Sequence, residues 1–506
     1  MKPSTHLSRP ALGAWVERTF EPAGARLLMR AGRQECLPGV APTRGSTLVI
    51  VLWIAFGLVS LTLYFAQSMS SELRASDNRV CGLAAEHAIE GAARYVSYVL
   101  SNLPTNGLVP DPSTYLSEAV PVGESHFWLI GRDTNSPPSA DQVSFSLVPE
   151  NSKLNLNSAS SNMLFFLPGM SMDLTTAILD WRDTNGGSVS QTYYSMNNPP
   201  YQCKASPFET VGELRLVYGG DLDTLVGEDA NSNGILDPNE NDVNHNGIVD
   251  PGLLEYVTVY SREPNTNADG SVRINIRTVT GTGGDLASLL QTNLSQGRSE
   301  QILNQLGLGN TGAARPGGNQ GNTGGRGRTG PAVQQVVAVS FASPLDFYRK
   351  SGMTIDEFAL IANKITFTNA GYIDGRINVN TASAAVLACL PGISDTPNLA
   401  QTLVNYRTMN PSKLTSVAWL VDALGQSSSS TLDALAASDC ITTLSYQFMA
   451  DIAAVGPHGR GYRRVRFVLD TSDGTTKIVY RQDLTHLGWA LGKNVRQNWL
   501  LAKGTR

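Results

Sequence analysis

The feature that most constrains this chain is an uncharged, apolar run from Ser46 to Ser71, whose core reads STLVIVLWIAFGLVSLTLYFA. An α-helix rises ~1.5 Å per residue, so about 20 apolar residues cross the hydrocarbon core of a bilayer. Residues 1–45 hold seven Lys or Arg against three Glu. Basic residues stay on the cytoplasmic side, which predicts a cytoplasmic N-terminus and a body beyond the membrane. The alternative is a cleaved signal peptide, whose apolar region is usually only ~7–15 residues and precedes an A-x-A site that is missing here.

The predicted helix continues beyond the membrane. After Glu72, apolar residues recur at three- and four-residue steps as far as Leu103, and Pro104 follows. That spacing is typical of an amphipathic helix with one buried stripe. We therefore predict a single helix over 46–103, apolar all round in its first half and one-sided in its second.

Several later segments have the composition of β-strands. HFWLI and QVSFSLV lie within 124–157, EYVTVYS and VRINIRTV within 254–280, and YRRVRFVLD and TKIVYRQD flank the hairpin signal Asp473-Gly474. The stretches between them read as helical. Residues 308–331 are dominated by Gly, Asn and Arg and cannot bury enough apolar surface to offset chain entropy, which predicts a flexible loop.

The helical stretches contain an internal repeat. KLNLNSASSNMLFFLPGM, from Lys153, matches RINVNTASAAVLACLPGI, from Arg376, with the same offset at every matched position, and a shared pattern this long is not chance. In each copy Asn-Ser/Thr-Ala-Ser can cap a helix and Leu-Pro-Gly can end it. Each copy continues into a helix that ends in an aromatic residue and an arginine, Trp181-Arg182 and Tyr406-Arg407. Each copy is therefore predicted to be a helical hairpin.

These hairpins resemble the helix-hairpin-helix motif, which has two roles. The DNA-binding form has a second Gly two residues after the first, where this chain has Ser171 and Ser394. Little Lys or Arg surrounds either hairpin, so binding to phosphates would lack the counterion-release contribution to affinity. We favour a structural scaffold over DNA binding and expect no nucleic-acid partner.

An Asp/Asn-rich segment between the copies fits a calcium-binding loop. The residues at positions 1, 3, 5, 7, 9 and 12 of its twelve are Asp229, Asn231, Asn233, Ile235, Asp237 and Glu240, and Gly234 occupies position 6. A second loop starts at Asp242 and has no acidic residue at position 12, so we expect it to borrow Glu255; its other ligands would be Asn244, Asn246, Ile248 and Asp250 beside Asp242 itself. The loops are too close for an ordinary EF-hand pair, and we predict two calcium ions bound within one loop region. The alternative is a solvated acidic linker, although eight acidic residues and no Lys or Arg between 221 and 250 would repel one another.

Catalytic chemistry has no support in the sequence. The six histidines lack metal-ligand spacing, and there is no nucleophile elbow, phosphate loop or dinucleotide fingerprint. The chain is therefore predicted not to be an enzyme. Beyond the membrane, four cysteines would meet an oxidising compartment, and Cys389 and Cys440 could pair within one subdomain.

In this order, the Arg44-Gly45 junction, the continuous helix, the strands, the paired hairpins and the calcium loop resemble the large minor pseudopilin K family of type II secretion systems. The resemblance covers roughly 45–270 and 335–490, and the hairpin repeats and EDANSNGILDPNEND carry most of it. The leader, 1–45, is long, with Met29 as an alternative start, and the Gly-rich loop is an apparent insertion.

The resemblance implies an α+β fold: a long N-terminal transmembrane helix and a pilin-like antiparallel sheet, with a large inserted helical domain that contains the two helix-hairpin-helix-like repeats. The expected divisions are a cytoplasmic leader (1–45), the pilin helix (46–103), pilin-like strands (104–157), hairpin repeat 1 with the calcium loop (158–253), pilin-like strands (254–280), a Gly-rich flexible loop (281–334), hairpin repeat 2 (335–445), and C-terminal strands with a tail (446–506).

The resemblance also implies a function. A prepilin peptidase would cleave between Gly45 and Ser46, leaving a single-pass protein in the cell inner membrane with its body in the periplasm. It would join the minor pseudopilins I and J at the tip of the pseudopilus, initiating or capping assembly for protein export across the outer membrane. The fifth mature residue, Glu in ordinary pilins, is Ile50 here. The alternatives are a DNA-uptake protein and a minor pilin of a type IV pilus.

Overall fold

The computed structural model describes residues 46–135, 142–184, 191–280, 283–308, 338–394, 396, 398–425, 428–495 and 497. The leader, including Gly45, and most of the Gly-rich segment lie outside the described residues. The chain divides into two units, 1–71 and 72–506.

The first described element is the predicted long helix, α1, which spans Ser46–Ser101. It contains an 18-residue window of mean hydropathy 2.4 with none of its surface buried, so by length and composition it could cross a membrane. In the second unit α1 buries one stripe of small and branched residues, including Ala85, Ala88, Ala92 and Val96. This confirms the change from an all-round apolar helix to a one-sided helix.

The buried stripe of α1 packs against an antiparallel sheet of six strands. Its order is β1-β2-β14-β15-β16, and β3 also pairs with β14; the strands are β1 Val120–Val122, β2 Ser125–Ile130, β3 Val148–Pro149, β14 Gln447–Val455, β15 Arg463–Asp470 and β16 Lys477–Asp483. The α1 stripe packs against alternate residues of the central strands, such as Phe127, Phe448 and Phe467. Because β3 and β14 are far apart in sequence but adjacent in the sheet, everything between them is an insertion.

The insertion is mainly helical and has its own large apolar core. Its helices are α2 Ser161–Phe165, α3 Met172–Arg182, α4 Gln191–Met196, α5 Leu222–Val226, α6 Gly284–Asn293, α7 Gln296–Gln305, α8 Pro344–Ser351, α9 Ile355–Ala359, α10 Ala384–Ala388, α11 Leu399–Met409, α12 Trp419–Leu424 and α13 Ser429–Ala437. Together with α1 and the sheet, it confirms the predicted α+β class.

Two of the predicted divisions are wrong in the structure. The strands within 254–280 do not join the main sheet; they pair inside the insertion, where short apolar runs are covered by neighbouring helices. The pairs are β4 Leu154–Asn155 with β5 Val257–Thr258, β6 Arg262–Pro264 with β11 Tyr372–Asp374, β7 Ile274–Asn275 with β10 Ile365–Thr366, β8 Thr278–Thr280 with β9 Ala338–Ser340, and β12 Ile377–Asn378 with β13 Ile441–Thr442. The range 281–334 is not all flexible loop either, because α6 and α7 form where Leu286, Leu290 and Ile302 are buried.

The two copies of the repeat form matching hairpins, α2–α3 and α10–α11. Ser160 and Ser383 cap their first helices by accepting hydrogen bonds from the backbone N–H three residues on, both at 3.3 Å. Gly169 and Gly392 then turn the chain with φ of +73° and +77°, in the region that favours glycine. The predicted capping chemistry is confirmed in both copies.

The arginine at the end of each second helix ties its hairpin together. Arg182 donates to the carbonyls of Leu156 and Ala159. Arg407 donates to the equivalent carbonyls of Val379 and Ala382, at 3.0 and 2.7 Å. Arg407 is 2% exposed, and burial lowers its pKa to about 10. The repeated arginine is thus a structural clamp, because it joins the second helix of each hairpin to the chain that precedes the first helix.

We expect Arg407→Met to lower the free energy of unfolding by about 3 kcal/mol, because several buried carbonyls lose their donor at once. Urea unfolding of the full chain measures the change. Arg215→Met removes an exposed arginine from the same insertion and should have little effect. Equal stability of the two variants would contradict the clamp.

The cysteines that the structure describes, Cys81, Cys203, Cys389 and Cys440, are free. The suggested Cys389–Cys440 pairing is therefore not found. Burial raises the pKa of Cys389 to about 12 and that of Cys440 to about 11, which keeps both as thiols.

Candidate metal centre

The Asp/Asn-rich segment forms two consecutive loops between α5 and a short 3-10 helix at Leu253–Glu255. The ends are closed by an antiparallel bridge between Gly227 and Pro251. Glu228 N donates to Asp250 O at 2.9 Å, and Gly252 N donates to Val226 O at 2.9 Å. All the predicted ligands except Glu255 therefore lie within one segment whose ends are joined.

The first loop curls its polar side chains inward. Asp229 Oδ1 and Oδ2 accept from the backbone N–H groups of Asn233 and Gly234, at 2.9 and 2.8 Å. The side-chain amides of Asn231 and Asn233 both donate to Asp237 Oδ2, at 2.7 and 2.8 Å. Glu240 closes the loop by accepting from Asn231 N and Asp237 N. Five of the six predicted ligand side chains therefore belong to one hydrogen-bonded cluster; Ile235, the sixth, is the position that supplies a backbone carbonyl in calcium loops.

Burial and an unpaired atom suit this loop to a hard cation. Asp229, Asn231, Asn233 and Asp237 are all at most 7% exposed. Asn231 Oδ1 is buried without a hydrogen-bond partner. An amide oxygen in that condition costs free energy unless something electropositive meets it. Oxygen ligands of this kind are those that Ca²⁺ prefers.

The charge balance around the first loop points the same way. Burial raises the pKa of Asp229 above its usual value, and the nearby Arg132 guanidinium offsets only part of that rise. Burial also raises the pKa of Glu240. Both carboxylates are thus held at a cost, which a bound divalent cation would relieve.

The second loop repeats the hydrogen-bond pattern of the first, position by position. Asp242 accepts from Asn246 N and Gly247 N, at 3.2 and 2.9 Å, and the amides of Asn244 and Asn246 donate to Asp250 Oδ2. Ser232 and His245, at position 4 of each loop, share a positive φ of 54° and 56°. The second loop differs in lying mostly at the surface, so its ligands are less desolvated.

Glu255, the acidic residue predicted to complete the second loop, is engaged elsewhere in the structure. Its carboxylate pairs with Arg132, with Nε–Oε1 at 2.8 Å. Burial alone would raise the pKa of Glu255, but the Arg132 guanidinium holds that pKa below its usual value. Arg132 also lies 3.7 Å from Asp229, so this pair supports the first loop from outside.

Glu228 is the acidic residue that contacts the second loop directly. Its two oxygens accept from Val243 N at 2.7 Å and Asp250 N at 3.1 Å. Glu240 makes the corresponding contact with the backbone N–H of the ninth residue of the first loop, Asp237. Glu228 could not be recognised from the sequence because calcium loops place their closing carboxylate at position 12, whereas Glu228 precedes both loops.

The main sheet anchors the first loop. Arg464 on β15 donates to the carbonyls of Asn231 and Ser232, the latter at 2.7 Å. Arg464 is itself held by both oxygens of Asp451 on β14, at 2.8 Å each. Ile235 packs its side chain into a small apolar cluster on the sheet face opposite α1, together with Trp128, Ile130, Val143, Ala453, Val455, Ala490 and Leu491. The anchoring arginines, Arg132 and Arg464, were not found from sequence because they are remote from the loop.

Across the described ranges, no group of three or more His, Cys, Asp or Glu side chains is placed to hold a metal ion. A cation in the first loop would therefore depend on asparagine and backbone oxygens beside its carboxylates. Of the predicted cleavage residues, Ser46 is the first residue of α1, and Gly45 lies outside the described part.

Comparison with known proteins gives a similarity to solved structures. No protein-family model and no curated protein matches the chain. Among solved structures, the chain is similar to a chain in the crystal structure of the GspK-GspI-GspJ complex from the type 2 secretion system of enterotoxigenic Escherichia coli. The match covers 83% of this chain and 98% of that one, at 9% sequence identity and a TM-score of 0.31.

Proposed function

We propose that this chain is a minor pseudopilin of a type II secretion system, of the K kind, and that its role is structural, not enzymatic. The observation that carries the proposal is the pairing of α1 with the antiparallel sheet. One helix offers an exposed apolar half for the membrane and a one-sided half for the sheet. A chain built this way is anchored in the inner membrane with its body in the periplasm.

The proposed position is the tip of the pseudopilus, in contact with minor pseudopilins I and J. A carboxylate inside a bilayer is expensive unless a partner charge is present. Ordinary pilins keep Glu at mature position five to meet the N-terminal amine of a neighbour, and Ile50 stands at that place. The large insertion between β3 and β14 adds bulk that would hinder another subunit from docking above.

Crosslinking tests the tip position. With a photoreactive residue at Ile50, the protein in native membranes is expected to crosslink to other pseudopilins and not to a second copy of itself. The same residue in the major pseudopilin serves as the control and should give ladders of self-crosslinked subunits. Self-crosslinked ladders of this protein would show that it is a repeating subunit along the filament.

Processing by a prepilin peptidase is the second expectation. The mature protein should begin at Ser46, because cleavage after Gly45 keeps the whole apolar run on the mature chain. Intact-mass spectrometry of protein from membranes measures this, and Gly45→Leu should leave the leader attached. An N-terminus beyond residue 66 would indicate an ordinary signal peptide and contradict the pseudopilin assignment.

The proposed cofactor is calcium, one ion in each loop. The first site would use the oxygens of Asp229, Asn231, Asn233, Ile235, Asp237 and Glu240, and the second those of Asp242, Asn244, Asn246, Ile248, Asp250 and Glu228. The orphaned Asn231 Oδ1 supports the first ion, and the repeated hydrogen-bond pattern supports the second. Calcium here would stabilise the joint between the insertion and the sheet.

A further inference from the structure

The two hairpins differ in what covers their turns. In the second hairpin, α13 lies across the Leu-Pro-Gly turn. Thr431 Oγ1 donates to Gly392 O at 3.1 Å, and a Cβ atom placed on Gly392 would meet Ala434 Cβ at 3.0 Å. The face that α13 buries is made of Thr431, Leu432, Leu435 and Ala436. In the second hairpin a short amphipathic helix therefore shields the turn with its apolar face.

The first hairpin has the same turn without a cover among the described residues. A Cβ atom placed on Gly169 would meet no described atom within 4 Å. Phe165 and Phe166 are each 40% exposed, and Met172 is 58% exposed. The positions equivalent to the two phenylalanines are Ala388 and Cys389, and Cys389 is 2% exposed. We call Phe165, Phe166, Pro168, Gly169 and Met172 the open turn surface.

Acidic residues adjoin this surface. Asp173 follows Met172 in the first turn of α3 and is exposed. Gly219 lies against Leu174 in the same helix, and the exposed Asp221 and Asp223 follow Gly219 by two and four residues. The chain has no Lys or Arg at 154–181 or at 216–261. A partner of opposite charge is therefore favoured at short range.

We propose that the open turn surface binds an amphipathic helix of another protein, with a Leu/Ala/Thr face towards the hairpin and Lys or Arg at its edges. The apolar face follows from what α13 presents to the equivalent turn, and the basic edges follow from Asp173, Asp221 and Asp223. Contiguous exposed apolar patches often mark interaction sites, and phenylalanine is enriched in protein interfaces. This binding would be a role of the insertion separate from its own folding.

Site-specific photocrosslinking in the full-length protein in native membranes tests this. The probe is Phe166→p-benzoylphenylalanine, an exposed aromatic replaced by another, so folding should be kept. The matched control is Leu360→p-benzoylphenylalanine, at a residue 52% exposed elsewhere on the insertion. We expect the Phe166 probe to crosslink a second polypeptide at least about tenfold more than the control, and mass spectrometry to map the site to an amphipathic helix bearing Lys or Arg.

Charge-reversal variants test the predicted basic edges of the partner helix. Asp173→Lys combined with Asp223→Lys should reduce the crosslink several-fold while circular dichroism stays unchanged. Added salt should also reduce it, because salt screens exposed charges beyond about 8 Å at physiological strength. Crosslinking into residues of this same chain, to an acidic or non-helical segment, or no more than at Leu360 would overturn the proposal.

Discussion

Asp451→Asn is expected to destabilise the protein by about 3–5 kcal/mol, because it leaves the buried Arg464 guanidinium without its counter-charge. Asp451 and Arg464 are 1% and 0% exposed, and Arg466 completes the cluster at 2.7 Å. The loss should extend to the first loop, whose carbonyls Arg464 holds. Urea unfolding at neutral pH, followed by tryptophan fluorescence, measures it.

The matched control is Asp473→Asn, which removes an exposed carboxylate paired with Lys477. Its stability should differ little from that of the wild type. Comparable losses in the two variants would mean that the buried pair contributes no more than a surface contact.

The same pair gives a pH dependence of known sign. Although burial would raise it, Arg464 and Arg466 hold the pKa of Asp451 well below its usual range. A carboxyl whose pKa is lower in the folded state stabilises the fold above its unfolded pKa of about 3.9, and that contribution is lost as pH falls through the folded value. The wild type should therefore lose its stability advantage over Asp451→Asn only in strong acid.

Calcium is expected to raise the stability of the protein by about 2.7 kcal/mol per site at a hundred times the dissociation constant. Asp229→Ala should remove the increment from the first site. Because Asp229 also accepts from Asn233 N and Gly234 N, this variant should be less stable even in chelator. The readout is therefore the difference in melting temperature between calcium and chelator, not the melting temperature itself.

Two further variants sharpen the calcium test. Asp223→Ala removes an exposed acidic residue just upstream of the loops and should leave the calcium-dependent shift intact. Glu228→Ala should lower the stoichiometry measured by calorimetry from two ions to one, whereas Glu255→Ala should leave two. The absence of any calcium-dependent shift in the wild type would refute both sites.

Features that depend on near neighbours in the chain could be predicted from the sequence. The apolar run and the stripe beyond Glu72 determine α1, since each side chain's face follows from the helical period. The caps and turns of both hairpins are set within a few residues. Five side chains of the first loop could be named because calcium loops draw their ligands from one short segment.

Only the tertiary structure decided the contacts between distant segments. Arg132 pairs with Glu255 across 123 residues of sequence. Arg464 donates to the Ser232 carbonyl across 232 residues. The short strands within 254–280 carry too few residues to specify a partner, and in the structure they pair with strands of the insertion. Such pairings depend on the summed burial of the whole core and not on any local pattern. The anchoring of the first loop and the contacts of Glu228 with the second loop were therefore decided only in the folded chain.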